Sequence, residues 1–423
     1  MPYYKGVLDD LIAGGHEADA RDVASRLLSL RHKLSKTLPP RNVLSSVLIA
    51  TWNLREFGAD KKFGKRLDES LLYIAEIGSH FDLVAVQEVN QNLDNLQRLM
   101  RLLGGWWDYL VTDVTLGTSG NSERIAFVYD GRKVHFDHLA GELALPPHKG
   151  EPTRQPARSP FICAFKVGWR RVSLCSVHIY FGKSNPDDPV RVEEIRAVSA
   201  ALAERNVKRH NVSDGEPENV VLLGDFNIFN KTGDKTSDAL ASNNFVVPDT
   251  LRKVKKSQRT VSDAGQKPAT EERATNLSRT KHFDQIAFHD PKGQLKASAG
   301  GVFDFQSVIY GAGEAEKYRG AMSRSAPEKF KKAHKSTKDV QKLYQSWRTF
   351  QISDHLPLWV ELKTDFANNY LASVMRGKRA SGPGRRARRR AEKSSPVEQP
   401  PPIANAADGA TPPRKPRRAP KRR

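Results

Sequence analysis

Seven short stretches of the chain carry side chains suited to handling metal ions, protons or phosphate. They are Thr51-Trp52-Asn53, Val86-Gln87-Glu88, Ser122-Glu123-Arg124, Ser176-Val177-His178, Gly224-Asp225-Phe226-Asn227, His282-Phe283-Asp284 and Ser353-Asp354-His355. Glu88, Asn53, Asp225, Asn227 and Asp354 offer the hard oxygen donors preferred by Mg2+, Mn2+ or Ca2+. A zinc set is absent from the pattern: Cys163 and Cys175 lack metal-ligand spacing and are too few for a disulfide framework. His178 and His355 can divide the proton transfers between an attacking water and a leaving oxygen. A bound cation would neutralise charge on phosphate oxygens in the transition state. These residue types suit hydrolysis of a phosphodiester.

The elements that must position them follow from the apolar runs. Val47–Thr51, Phe81–Val86, Ile125–Tyr129, Phe161–Val167, Val172–Val177, Val220–Leu223, Phe283–Phe288 and Leu356–Leu362 read as strands. Helical patterns intervene at 65–78, 92–103 and 188–209. Strands with only occasional helices predict an α+β sandwich rather than a doubly wound sheet. Four polar stretches close a strand and three open one. In an antiparallel sheet the end of one strand lies beside the start of the next, so all seven are expected on one rim. Taken singly, each has an ordinary explanation: Gly224-Asp225 as a turn, Asn53 as a loop cap, Glu88 as a solvated strand end, His178 as a satisfied structural histidine. Their joint register with strand ends is what argues for a site.

Upstream, Val23, Leu27, Leu30 and Leu34 predict a helix over 17–37, stopped by Pro39 and Pro40 and expected to act as a packing brace. Downstream, 325–348 mixes lysines with Phe330, Val340, Leu343, Tyr344 and Trp347 and predicts one basic amphipathic helix before the last strand. Its aromatic residues fit packing better than stacking on unpaired bases. The expected organisation is an N-terminal helical extension over 1–46, a catalytic domain over 47–365 with a basic insert at 311–350, and a disordered Arg/Pro-rich tail over 376–423.

The 423 residues carry a formal net charge of +21. The excess sits in three segments: 251–281, 311–350 and 376–423, the last with sixteen Lys/Arg against three Asp/Glu. Clustered cations favour a polyanionic partner because they displace counterions from a phosphate backbone. Met1–Gly15 has no apolar stretch of signal-peptide length, and no apolar run is long enough to span a bilayer. A soluble intracellular monomer is expected, in the cytoplasm or associated with a nucleoid or nucleus.

Extended to Thr51-Trp52-Asn53-Leu54-Arg55-Glu56-Phe57-Gly58, Gln87-Glu88-Val89 and Ile352-Ser353-Asp354-His355, the same motifs resemble the endonuclease/exonuclease/phosphatase superfamily, and within it the deoxyribonuclease-I-like branch. The resemblance runs from about Val47 to Leu362. It implies a four-layer α/β/β/α sandwich of two mainly antiparallel sheets, with the site at one edge. It also implies Glu88 and Asn53 as ligands of one divalent metal, with Asp225, Asn227 and Asp354 around the scissile phosphate and as candidate ligands of a second. By the same resemblance Glu123 orients His178, Asp284 orients His355, and Arg55, Arg124 and the Asn227 amide bind phosphate oxygens. Arg55 and His178 argue against an abasic-site enzyme. Asn90 stands where the deoxyribonucleases often carry an arginine that reaches the minor groove, so groove contact is expected to differ. The function expected is a metal-dependent, nonspecific DNA endonuclease acting through Mg2+ or Mn2+, with Ca2+ as a further candidate. The alternatives are a phosphoesterase of lipid or inositol phosphate headgroups and a catalytically silent nucleic-acid-binding protein.

Overall fold

A computed structural model describes residues 2–59, 62–115, 121–147, 154–168, 170–213, 219–230, 234–252, 273–291, 293–334 and 336–376. The Arg/Pro-rich tail and most of the basic 251–281 segment lie outside the described residues. In chain order the elements are α1 (Lys5–Ala13), α2 (Glu17–Thr37), β1 (Ser46–Phe57), α3 (Asp68–Ser79), β2 (Leu83–Asn90), α4 (Asp94–Leu103), β3 (Trp107–Val111), β4 (Glu123–Asp130), β5 (His135–Glu142), β6 (Phe161–Val167) and β7 (Arg170–His178). There follow α5 (Pro189–Ser213), β8 (Asn219–Asp225), α6 (Lys235–Ala241), α7 (Asp249–Arg252), β9 (Asp284–His289), β10 (Ala297–Val302), α8 (Arg319–Ser325), α9 (Pro327–Ala333), α10 (Thr337–Gln351), β11 (Leu358–Lys363) and α11 (Ala367–Met375).

The strands form a six-stranded sheet in the order β10-β11-β1-β2-β4-β3 and a five-stranded sheet in the order β5-β6-β7-β8-β9. The period-2 alternation of β-strands sorts their apolar residues into three layers. Val47, Ile49, Leu83, Ala85 and Phe127 of the first sheet meet Phe161, Phe165, Leu174, Val221 and Ile286 of the second. The alternate residues Leu48, Ala50, Trp52, Val84 and Val128 pack under α2, α3, α4 and α10. On the far side, Ile162, Val177 and Leu222 pack under α5 and α6. The architecture is therefore an α+β sandwich of four layers. Its central strands are apolar on both faces, which is why they read as continuous runs.

Three strands, β3, β5 and β10, escape the sequence pattern. All three are sheet edges, where one flank is solvated and an apolar run is not required. The two cysteines face opposite ways from the second sheet, Cys163 into the inter-sheet core and Cys175 under α5, and both are free thiols. The N-terminal helix spans Glu17–Thr37, and its Val23, Leu27, Leu30 and Leu34 share one core with β1 and α3. The single basic helix expected over 325–348 is instead two, α9 and α10, separated from α8 at Ala326-Pro327 and from each other at the Ser336 cap. Tyr344 and Trp347 are fully buried, and the Trp347 indole donates to Ser325 Oγ at 2.8 Å, so they are packing residues. Among the described residues no helix is long and apolar enough to cross a membrane.

Candidate active site

The polar stretches meet through two kinds of strand pairing. β1 and β2 run parallel with Asn53 beside Gln87, and β7 and β8 run parallel with His178 beside Asp225. Antiparallel pairing then adds Glu123 beside Asn90 and Asp284 beside Asp225. The sheets are mainly antiparallel, and the two parallel pairs at their centres bring strand ends together directly. Gly224 makes the second pair possible. Its φ is +137°, and a Cβ there would stand 2.1 Å from the Val177 carbonyl oxygen. His355 is fixed to the first sheet by the Trp52 indole, which donates to its carbonyl at 3.0 Å, and by its own amide, which donates to Ser353 Oγ at 2.9 Å. Gln87 links the sheets beneath the rim, donating to Ser176 Oγ at 2.8 Å.

Each imidazole is held by a carboxylate from the opposite sheet. His178 Nδ1 lies 2.9 Å from Glu123 Oε2, and His355 Nδ1 lies 2.7 Å from Asp284 Oδ2. The His355 contact is a hydrogen bond and the His178 contact a close ion-pair approach; in both rings Nε2 is turned inward. The two Nε2 atoms stand 3.6 and 3.7 Å from the same oxygen, Asp225 Oδ2. Asn53 Nδ2 donates to that oxygen at 3.0 Å and to Glu88 Oε1 at 2.7 Å. Glu88 Oε2 accepts from the Glu56 amide at 2.8 Å.

Backbone strain collects at this rim. Arg55, Glu56, Glu88, Asn121, Ser122 and Asn227 all have positive φ, between 33° and 59°. Non-glycine residues adopt that region at a cost of order 1–3 kcal/mol each for the less tolerant types, and such strain persists where the surroundings over-determine it.

The electrostatics are those of crowded, buried anions. Burial raises the Glu88 carboxyl above its ordinary value; His178 pulls it back, and Glu123 and Asp354 push it up again. Burial works against the Glu123 carboxylate too, but His178 and Arg158 outweigh it and hold the group at about 2. Burial and the Arg158 charge press the His178 imidazole down, while Glu123 and Asp225 leave it above its ordinary value. Burial also opposes charge on His355, yet Asp284, Asp225 and Asp354 raise it well above the imidazole range. Two three-residue groups, Glu88/Glu123/His178 and Asp225/Asp284/His355, converge closely enough to hold a cation. Asp284 Oδ1 is buried with no hydrogen bond among the described residues. Donor chemistry, crowding and this unpartnered oxygen fit a divalent metal.

Comparison with known proteins bears on this site. Residues 50–248 match the Endonuclease/Exonuclease/phosphatase family. The match covers a little under half of the chain. Members of the family are phosphoesterases and related hydrolases that use divalent metals. Solved structures to which the chain is similar include humanized Danio rerio TDP2, at 11% identity over 75% of this chain and 98% of that one with a TM-score of 0.45. The human nocturnin catalytic domain follows at 13% identity, 75% and 94% coverage and a TM-score of 0.42. A Bacteroides thetaiotaomicron mannosyl-6-phosphatase shows 16% identity, 75% and 99% coverage and a TM-score of 0.44. No curated protein sequence matches the chain.

One cleft of about 820 Å³ is lined by Arg55, Glu88, Asn90, Glu123, His178, Asp225, Asn227, Asp354 and His355. One expected residue, Arg124, is placed elsewhere. Arg124 does not line the cleft. Side chains alternate along β4, so Glu123 faces the site while the Arg124 guanidinium donates to the Thr112 carbonyl at 2.7 Å. Asn53 Oδ1 accepts from the Arg55 amide at 2.9 Å, while its Nδ2 serves the Glu88 and Asp225 carboxylates. Asn227 lines the cleft as well, its Nδ2 donating to the Ile179 carbonyl at 2.8 Å and its backbone amide to Asp225 Oδ1 at 2.9 Å, which braces the loop. Arg55 lines the cleft, ion-paired with Asp354 at 3.0 Å and seated over the Phe350 ring at 4.3 Å at the end of α10.

Sequence reasoning missed Arg158. It is buried, lines the cleft and sets Nε 2.9 Å from Glu123 Oε2. The signal was weak: Arg158-Ser159-Pro160 directly precedes β6, one strand away from His178.

Proposed function

We propose that the protein is a divalent-metal-dependent nuclease that hydrolyses phosphodiester bonds in DNA as a nonspecific endonuclease. The observation that carries this reading is the pair of carboxylate–imidazole dyads reaching across the two sheets, with both Nε2 atoms under 4 Å from one Asp225 oxygen, at 3.6 and 3.7 Å. In-line displacement at phosphorus sets the attacking and leaving oxygens on opposite sides of the phosphate. It therefore calls for one proton acceptor and one proton donor facing the same point. His178 takes the proton of the attacking water, because the Arg158 charge beside it favours its neutral form more than anything near His355 does. His355, which Asp284, Asp225 and Asp354 keep protonated, gives its proton to the leaving oxygen.

Glu88 and Asp225 are the residues that would hold the metal, Mg2+ or Mn2+ with Ca2+ as a further candidate, and Asn53 keeps their oxygens at a fixed separation. Asp354 and Asn227 complete the polar lining. When bound, the cation supplies Lewis-acid neutralisation of the charge that develops on the phosphate oxygens. Arg55 presents a guanidinium group whose planar fork matches two phosphate oxygens, while the buried Arg158 turns its fork on Glu123. Exposed Lys329, Lys331, Lys332 and Lys338 on the insert extend the cationic surface, and the insert adjoins the cleft through Thr349, which accepts from Arg55 at 2.5 Å.

The test is purified full-length protein on supercoiled plasmid, linear duplex, single-stranded DNA and RNA, each with Mg2+, Mn2+, Ca2+ or EDTA, beside the Asp225→Ala/His355→Ala double variant. Metal-dependent nicking that the variant lacks is expected. Absence of cleavage on every nucleic acid would overturn the reading.

A further inference from the structure

The cleft lining holds two aromatic side chains, Phe181 and Phe283. Their ring centroids are 6.4 Å apart, and Phe229 closes a triangle behind them at 5.9 and 5.5 Å. Phe283 also lies 5.5 Å from the His355 ring, with 31° between the planes. The three phenyl rings thus form one apolar wall that ends at the proposed proton donor. Phe229 is buried, but Phe181 is 40% exposed.

An exposed phenyl ring is ordinarily turned inward by the hydrophobic effect, and here the loop is built to prevent that. Arg191, fully buried, donates to the carbonyls of Phe181, Asn185 and Pro186 and lays its guanidinium over the Phe229 ring at 4.9 Å. The Asp188 carboxylate accepts from the amides of Lys183, Val190 and Arg191 at 3.0 to 3.3 Å. Gly182 has φ +64°, and a Cβ there would meet Asp188 Oδ2 at 2.7 Å. Lys281 Nζ sits 4.7 Å from the Phe229 centroid. A buried arginine, a buried aspartate and an obligatory glycine therefore hold one phenyl ring in the open beside the reacting groups. Such preorganisation lowers the ordering cost of binding a flat partner.

We propose that Phe181, backed by Phe229 and Phe283, is a stacking platform for an unpaired nucleobase next to the scissile phosphate. The proposal rests on the nuclease reading and adds a substrate preference to it. A base inside a duplex has both faces covered by its neighbours, whereas an unpaired base has a free face to place on an aromatic ring. The preferred substrate is accordingly a single strand, a loop or a flipped nucleotide. Stacking is indifferent to base identity, so the platform selects strandedness without reading sequence.

The experiment uses the full chain, wild type against Phe181→Ala and Phe181→Leu, with folding of each checked by thermal unfolding. Fluorescence anisotropy in EDTA measures Kd for a single-stranded oligonucleotide, its matched duplex, and a strand of equal length whose central residues are abasic. Wild type should bind the single strand about tenfold more tightly than the abasic strand. Both substitutions should abolish that ratio, Leu included because it keeps apolar surface but has no ring face. The affinity for the abasic strand should be the same for all three proteins. Equal weakening on all three ligands, or an unchanged ratio in Phe181→Ala, would overturn the proposal. Because the readout is binding without turnover, a protein that fails to cleave but shows the ratio keeps the platform and loses the nuclease reading, whereas cleavage without the ratio does the reverse.

Discussion

The two ends of the first sheet bury the same kinds of side chain and treat them in opposite ways. At the end where β1 and β2 begin, Asp82 and Asp130 are fully buried and fully matched. Arg41 bridges them at 2.7 and 2.6 Å, Lys133 reaches Asp82 at 2.5 Å and Arg132 reaches Asp130 at 2.5 Å. At the end where those strands finish, Glu88, Glu123, Asp225 and Asp284 converge on two imidazoles and one guanidinium, and Asp284 keeps an oxygen unpartnered among the described residues. Burial disfavours the charged form at both ends, but Arg132 and Arg41 override it and hold Asp130 at about 2, whereas Glu88 is raised. A saturated cluster lowers the energy of the fold. An under-compensated one leaves work for a cation or a substrate, and the positive-φ residues gather at that end as well.

The sharpest way to break this contrast is to remove the imidazoles. His178→Ala and His355→Ala should each lower turnover by about 10²- to 10⁴-fold without lowering Tm. A nucleotide ester with an activated leaving group such as p-nitrophenolate should restore much of the rate to His355→Ala and little to His178→Ala; equal rescue would refute the division of proton transfers. The second effect concerns metal. Glu88→Gln should raise the Mg2+ concentration for half-maximal activity by about tenfold or more, while Asp82→Asn at the saturated end should leave it unchanged, as read from metal titrations of turnover. A similar shift in both variants would mean that the two ends do not differ in the way proposed.

A third test exploits Arg158. Its charge depresses the His178 imidazole, so Arg158→Met should raise that group further. A base works only when deprotonated, so the ascending limb of the pH–rate profile should move to higher pH. A limb that stays in place would remove His178 from the base role. The smallest effect is expected at the far end. Asp130 has a folded pKa of about 2, below the roughly 3.9 of an unfolded aspartate. Its pairing therefore stabilises the fold above about pH 4, and that stability is lost as the pH falls toward 2. Asp130→Asn should cost about 1–2 kcal/mol at neutral pH by denaturant unfolding, with the deficit shrinking over that acid window.

Much of this was legible without coordinates where a strand is apolar on both faces. β1, β2, β4, β6, β7, β8, β9 and β11 were all visible as runs, because the sandwich covers each of them on both sides. The edge strands β3, β5 and β10 were not, because most of their side chains are half-buried or exposed; β9 is an edge too, but Ile286, Ala287 and Phe288 are buried and it reads as a run. The residues gathered at the cleft could be picked out for a related reason: a carboxylate or imidazole directly abutting an apolar run is uncommon unless something pairs with it. Arg124 and Arg158 show the limit. Arg124 follows Glu123 within β4, so alternation turns it away, but nothing near Arg158 in the chain says that it turns toward Glu123.

The sequence by itself determined the layers and the rim, since period-2 burial and strand-end polarity are local properties of the chain. Only the tertiary structure decided the partnerships. Each dyad joins a carboxylate of one sheet to an imidazole of the other: Glu123 of β4 to His178 of β7, and Asp284 of β9 to His355 before β11. The facing of two sheets is set by the inter-sheet core and not by any neighbouring residue. Arg158, the aromatic wall and the crowding at Glu88 belong to the same class of facts. They exist because distant segments are forced to share one volume, and no window along the chain contains both partners.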